Sequence, residues 1–407
     1  MTIYRTILAT CALLAVATPT FAQLPGRLSD EARITLITVF PGDPVYTMFG
    51  HSAIRVVDPA TGFDASFNYG TFDFDRSFPL RFASGRLDYR LDVNSTSAAL
   101  RQYEIENRTV VEQRLDLEPD VIDMVYRFLV ENYRPENRYY RYDFLRDNCS
   151  TRVRDVLEIA VGRFLGQPSA SRSAVIPPGA QAATRGYETY RDLLERYTNA
   201  RPLLGAFIHT ALGPEADQIV LDRERAFLPV ELMFQTEATT VDGRPLVTAT
   251  DTLYYANGLP RSRHGIAVFL AWLVVSGCAG VSVYRWKRMR PRSRVVDPVL
   301  FGAVGIAGLL ITYLWFGSEH EVASPNTNLI WAWPTHLLAA AFMTKKHLPT
   351  WMLRYLALSA AGVVVLLGGL FWWSQEIPTL VVPIAVLLAF RAGRCFFPRR
   401  QVVPPEV

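Results

Sequence analysis

Residues 264–294 read HGIAVFLAWLVVSGCAGVSVYRWKRMRPRSR, an apolar run long enough to cross a bilayer that ends in six arginines and lysines. This stretch decides the architecture, because it divides the 407-residue chain into two chemically unlike parts. Residues 264–407 hold 13 Lys/Arg against 5 Asp/Glu, whereas residues 1–263 hold 29 against 33. The three lysines, Lys287, Lys345 and Lys346, all lie in the second part. The net charge of +4 is therefore an average of an acidic part and a basic one. The basic excess flanks apolar segments, where membrane topology explains it better than nucleic-acid binding. Disorder, collagen and a disulfide scaffold are excluded by composition.

Working toward the C-terminus, apolar windows fall at about 265–284, 296–316, 329–343, 353–373 and 377–394. The third is short and carries Pro334, which predicts a broken or re-entrant helix. Basic residues mark one set of loops: Arg285 to Arg294, then Lys345, Lys346 and Arg354, then Arg391, Arg394, Arg399 and Arg400 in the tail. The intervening loops, 317–328 and 374–377, carry Glu319, Glu321 and Glu376 and no Lys or Arg. Five spans with the tail inside and the N-terminal part outside satisfy every loop. His320, between two glutamates in the outer loop, is a candidate for a metal or a lipid headgroup; a polar, solvated loop is the commoner meaning. His336 falls inside a span, where an ionisable group is a functional candidate by default.

Toward the N-terminus, Arg5, the apolar stretch Ile7 to Ala17 and the small residues near Ala22 have the plan of a signal peptide over 1–22. Export of residues 23–260 follows, into a periplasm-like space. The four cysteines are Cys11, Cys149, Cys278 and Cys395, so Cys149 is the one thiol of the exported domain. A disulfide within that domain and a cysteine-rich zinc site are both excluded, and no cofactor or metal is expected.

Within the exported domain, Arg33 to Phe40, Ser52 to Val57 and Phe63 to Tyr69 alternate as strands, with Asp58-Pro59-Ala60-Thr61-Gly62 as a turn. Pairing Val57 with Gly62 or Phe63 puts position 68 or 69 opposite His51. Residues 86–93 and 103–117 continue the strand pattern, and a helix is predicted from Pro119 to Tyr133. Asp147 and Asn148 are N-cap types, and Val153, Val156, Leu157, Ala160 and Val161 form a helical stripe behind them. A loop over 167–186, two or three helices within 187–236 and a turn at 241–245 complete the domain.

Cys149 thus falls in the first turn of a helix, where free N–H groups and the helix dipole favour thiolate. His51 opens a strand, as a general base fixed on a rigid element should. A thiol at a helix start and an imidazole at a strand start are the two parts of a Cys–His nucleophile. A third group must hold the imidazole: the hairpin pairing nominates Asn68, with Asp73 as runner-up. A buried structural cysteine and a structural histidine are each the commoner fate taken singly. Ser–His–Asp chemistry through Ser52 or Ser150 lacks a nucleophile-elbow sequence. The N–H of Cys149 can supply half of an oxyanion hole, with Asn148, Ser150, Tyr69 and His320 as further substrate or oxyanion candidates.

Phe49-Gly50-His51-Ser52-Ala53-Ile54-Arg55, Phe67-Asn68-Tyr69-Gly70-Thr71-Phe72 and Asp147-Asn148-Cys149-Ser150-Thr151-Arg152, with Phe227-Leu228-Pro229 further on, resemble the Lnb N-terminal periplasmic domain. The segment that follows resembles the Lnb-like transmembrane domain. The resemblance implies an α+β chain: a circularly permuted, NlpC-type papain-like domain, then a five-span helical domain in a bacterial inner membrane. It also implies lipoprotein N-acylation, in which Cys149 takes an acyl chain from a phospholipid as a thioester. The chain then passes to the α-amino group of a diacylglyceryl-cysteine lipoprotein, with His51 as base and then acid. A cysteine amidase or peptidase of the same fold, and a non-catalytic envelope assembly protein, are the competing classes.

Overall fold

The computed structural model describes residues 24–73, 76–86, 88–165, 188–257, 264–287, 293–370 and 372–396. The expected signal peptide, the 167–186 loop and the junction near residue 260 lie outside the described residues.

The exported part is built on seven antiparallel strands: β1 (Arg33–Val39), β2 (His51–Asp58), β3 (Phe63–Thr71), β4 (Asp88–Ser95), β5 (Val110–Leu115), β6 (Tyr139–Arg141) and, after a hairpin of β7 (Thr240–Val241) and β8 (Arg244–Pro245), β9 (Val247–Tyr254). Their order across the sheet is β6-β4-β3-β2-β1-β5-β9. Among the described residues seven helices accompany it: α1 (Phe78–Ser84), α2 (Thr96–Ile105), α3 (Pro119–Tyr133), α4 (Cys149–Val161), α5 (Tyr190–Thr198), α6 (Pro202–Ala211) and α7 (Pro229–Ala238). The β2–β3 turn forms because Asp58 accepts from Ser29 Oγ (2.5 Å) and from Ala60 N (3.2 Å), while Gly62 takes the left-handed conformation at φ 72°.

Alternation along β2 sends its side chains to two different cores. Ile54 and Val56 pack with Phe67, Leu91 and the α4 residues Val153, Val156 and Leu157, over which α3 adds Val125 and Leu129. Ala53 faces the other way, with Ile37, Val39 and Val110, beneath Leu100 and Tyr103 of α2.

Two strand expectations change. The 103–117 segment is not one strand: α2 runs through Ile105, Asn107 turns at φ 50°, and β5 starts only at Val110. Ser95 caps α2 by accepting from Ala98 N (3.4 Å), a local signal that overrides the strand-like pattern after it. The β2–β3 register is Val57↔Asp64 and Ile54↔Phe67. Extending it brings position 70 opposite His51, and Asn68 lies on the diagonal.

The second part contains α8 (His264–Lys287), α9 (Val296–Phe316), α10 (His336–Met343), α11 (Thr350–Gly368) and α12 (Val382–Phe396). Two of the expected windows, α9 and α11, are helices long and apolar enough to cross a membrane. The window at 329–343 is broken: a 3₁₀ turn covers Thr327–Ile330, and α10 has eight residues. Pro334 lies between them, lacking the N–H that a continuous helix needs. The fifth window becomes helical at Val382 rather than 377. Asp297 of α9 and Arg391 of α12 form a buried ion pair at 2.5 Å.

The loop from Ser318 to Asn328 grips the exported part. Glu319 pairs with Arg86 (2.8 Å) and with Arg141, and Glu321 pairs with Arg146 (3.1 Å). Gly213 N donates to Val322 O (2.7 Å), and Asn326 Nδ2 donates to the carbonyls of Thr210 and Ala211 (both 3.0 Å). Gln375 Nε2 reaches Leu212 O at 2.8 Å.

Candidate active site

Cys149 is the first residue of α4, and the helix starts there because Asn148 is a complete N-cap. Asn148 Oδ1 accepts from Ser150 N (2.8 Å) and Thr151 N (3.0 Å), while Asn148 N donates back to Thr151 Oγ1 (2.8 Å). The Asn148 amide also donates to the carbonyls of Phe144 (2.9 Å) and Phe227 (3.0 Å), which ties the helix start to the Phe227-Leu228-Pro229 turn.

Cys149 is half-buried. Burial pushes it above the usual cysteine range, although the backbone N–H of Ser52, the charge of Arg108 and the N–H groups of Ser150 and Cys149 itself pull the other way. Gly70, at φ 86°, gives the thiol its room: a Cβ there would come within 3.0 Å of Cys149 Cβ and 3.8 Å of Tyr140 Oη. Tyr140 is 9% exposed, and its hydroxyl has no hydrogen-bond partner among the described residues.

His51 opens β2. Its Nε2 lies 3.3 Å from Asn68 Oδ1, and Asn68 Nδ2 donates to Ser66 O (3.1 Å). That second bond fixes the amide, so Oδ1 accepts from Nε2–H and Nδ1 is left as the basic nitrogen. Burial, then the nearby charge of Arg108, lowers the imidazole to about 4, while Asn68 and Glu106 oppose the shift. At neutral pH both partners are uncharged, a thiol and a neutral imidazole. Both border the start of β2: the Ser52 N–H reaches the sulfur and Ser52 Oγ lies 3.4 Å from Ser150 Oγ, while the ring of His51, the preceding residue, lies beside Tyr103 (ring centroids 6.4 Å apart). The charge of Arg108 acts on both groups, and Tyr103, whose ring centre lies 5.6 Å from the Arg108 guanidinium, is raised to about 12 by burial, with a smaller push from Cys149.

Residues 27–196 match the Lnb N-terminal periplasmic domain, and residues 266–401 match the Lnb transmembrane domain. The chain belongs to the Lnb family. It is thus a membrane protein with a periplasmic domain, of a family concerned with enzymatic lipoprotein processing. No curated protein and no solved structure matches it.

In this Lnb protein the other expected residues fall as follows. Asp73 pairs with Arg90 (2.8 Å) and is well exposed, away from His51. Tyr69 is buried edge-on to Tyr140, near Arg152 and Asp155 of α4. Ser150 is fully buried behind the cap. His320 is not at the thiol: its Nε2 meets Phe82 O at 2.7 Å in the gripping loop. Among the described residues no cluster of His, Cys, Asp or Glu is placed to hold a metal ion. Sequence reading missed Arg108, Tyr103, Tyr140 and Gly70. Gly70 alone left a signal, as the glycine that ends the Asn68-Tyr69-Gly70 run.

Proposed function

We propose that the protein is a membrane-bound, cysteine-dependent acyltransferase that moves an acyl chain from phospholipid to the N-terminal diacylglyceryl-cysteine of lipoproteins. The observation that carries the reading is a half-buried thiol at a capped helix start, touched by three backbone N–H groups, in a domain fastened to membrane helices. In the first half-reaction His51 Nδ1 takes the thiol proton as the sulfur attacks the ester carbonyl. The oxyanion is met by backbone N–H groups at the start of α4, and the lysophospholipid alkoxide leaves with the proton from His51. In the second, the acceptor amine attacks the thioester, His51 takes its proton, and the thiol is restored. Asn68 holds the imidazole tautomer, and Asn148 and Ser150 order the turn that presents the N–H groups.

The exported domain has no lysine, so it carries no side-chain amine of its own to intercept the thioester before the acceptor does. On this reading the sheet and α4 form a permuted papain-like core, and the five apolar windows cross the inner membrane and hold both lipid substrates beside it. The Cys149→Ala variant, purified with phospholipid and a diacylated lipopeptide, should yield no triacylated product by mass spectrometry. Full activity in that variant overturns the thioester mechanism.

A further inference from the structure

We infer that Arg108 binds the phosphate of a glycerophospholipid beside the thiol that accepts its acyl chain. The inference rests on the acyl-transfer reading above and names the group that recognises the donor. Arg108 precedes β5 and is 4% exposed. Its Nε donates to Phe40 O (3.0 Å), and its Nη1 donates to Glu106 Oε2 (3.1 Å). The guanidinium lies 5.6 Å from the centre of the Tyr103 ring. Gly42 clears the stem, since a Cβ at that position would come within 2.9 Å of Arg108 Cγ and Cδ.

Three neighbours therefore hold the side chain, yet Nη2 is buried with no hydrogen-bond partner among the described residues. A buried guanidinium N–H without an acceptor is costly, and a ligand, an ion or an ordered water can supply one. The Tyr103 ring, 5.6 Å from the guanidinium, lies 6.4 Å from the His51 ring by centroid, and the Arg108 charge acts on Cys149 as well, so an acceptor on Nη2 would sit on the same side of the site. The acceptor chemistry that suits an arginine best is a phosphate or carboxylate. In a glycerophospholipid the phosphodiester lies only a few bonds from the ester carbonyls. One molecule can thus present its phosphate to Arg108 and an ester to Cys149, and membrane helices fastened to this domain supply such molecules.

The test reads protection of Cys149 from iodoacetamide in the full-length protein in detergent, by mass spectrometry. The probes are a short-chain dialkyl ether phosphatidylglycerol, the matching dialkyl glycerol without phosphate, and inorganic phosphate. Ether chains cannot be transferred, so protection reports binding alone. In the wild type the ether phospholipid should protect at about tenfold lower concentration than the dialkyl glycerol, one good charge-assisted contact. In Arg108→Gln the two lipids should protect alike, and Arg108→Lys should keep part of the preference. A wild type without preference for the phospholipid overturns the inference, as does a preference that survives Arg108→Gln. Inorganic phosphate protecting at the same concentrations as the phospholipid assigns the site to free phosphate and also overturns it. The wild-type comparison stands even if Arg108→Gln fails to fold. Failure to transfer an acyl chain in the separate Cys149 assay counts against the acyltransferase reading and leaves this comparison intact.

Discussion

His51 is a histidine that folding makes harder to protonate, with a pKa of about 4 against 6.5 in an unfolded chain. As pH falls, the unfolded state takes up a proton first. The stability present above pH 6.5 is therefore lost between 6.5 and about 4, by up to about 3 kcal/mol for a shift of this size. In His51→Gln that part of the acid sensitivity should vanish, so unfolding midpoints of the variant in detergent should fall less steeply from pH 7 to pH 4. Parallel curves for the two proteins would mean that the imidazole is not shielded as described. The residue-scale reading of the sequence named Cys149, His51 and Asn68 from local signals: cap types, a strand start and a turn. Asn68 was reached with the register slightly off, because diagonal and direct neighbours on one sheet face both come within reach of a side chain. Arg108 could not be read at all. Its significance is a nitrogen left without an acceptor, and only the folded chain shows which acceptors are within reach.

At the scale of elements, two glycines on strand β3 and its turn separate backbone strain from site geometry. Gly62 and Gly70 both have positive φ, but a Cβ at Gly62 meets nothing within 4 Å, whereas at Gly70 it meets Cys149. Both alanine variants should lose about 1–2 kcal/mol of stability from the left-handed backbone alone. Only Gly70→Ala should also lose acyl transfer, by tenfold or more, because the start of α4 must shift. Equal activity in the two variants would show that the thiol tolerates displacement. Helices with clear periodicity and a marked start, α3 behind Pro119 and α4 behind its Asn148 cap, were legible in the sequence. The α2–β5 segment was not, since Ser95 and the turn at Asn107 break a pattern that alternation alone would extend. Likewise hydropathy marked the window at 329–343, whereas the structure there is set by Pro334 and by asparagines that bond across to Thr210.

Across the whole molecule, the division at residue 264 was the plainest message of the sequence, and the join between the parts was the most hidden. Glu319 and Glu321 read as members of a solvated loop, and in fact they pair with arginines far away in the chain. Such exposed pairs contribute about 0–1 kcal/mol each. The Asn326 amide, whose side chain is 2% exposed, instead satisfies two carbonyls of the other part. Leaving buried acceptors unpaired costs about 1–3 kcal/mol. Asn326→Ala should accordingly loosen the join more than Glu319→Ala, seen as faster hydrogen exchange at the amides of Leu212 and Gly213. The reverse ranking would place the strength of the join in its ion pairs. This join has a consequence for biogenesis. Synthesis runs from the N-terminus, so the carbonyls of Thr210 and Ala211 reach the far side of the membrane more than a hundred residues before the asparagine that caps them. The newly exported domain must wait, incompletely sealed along that edge, until translation delivers its latch.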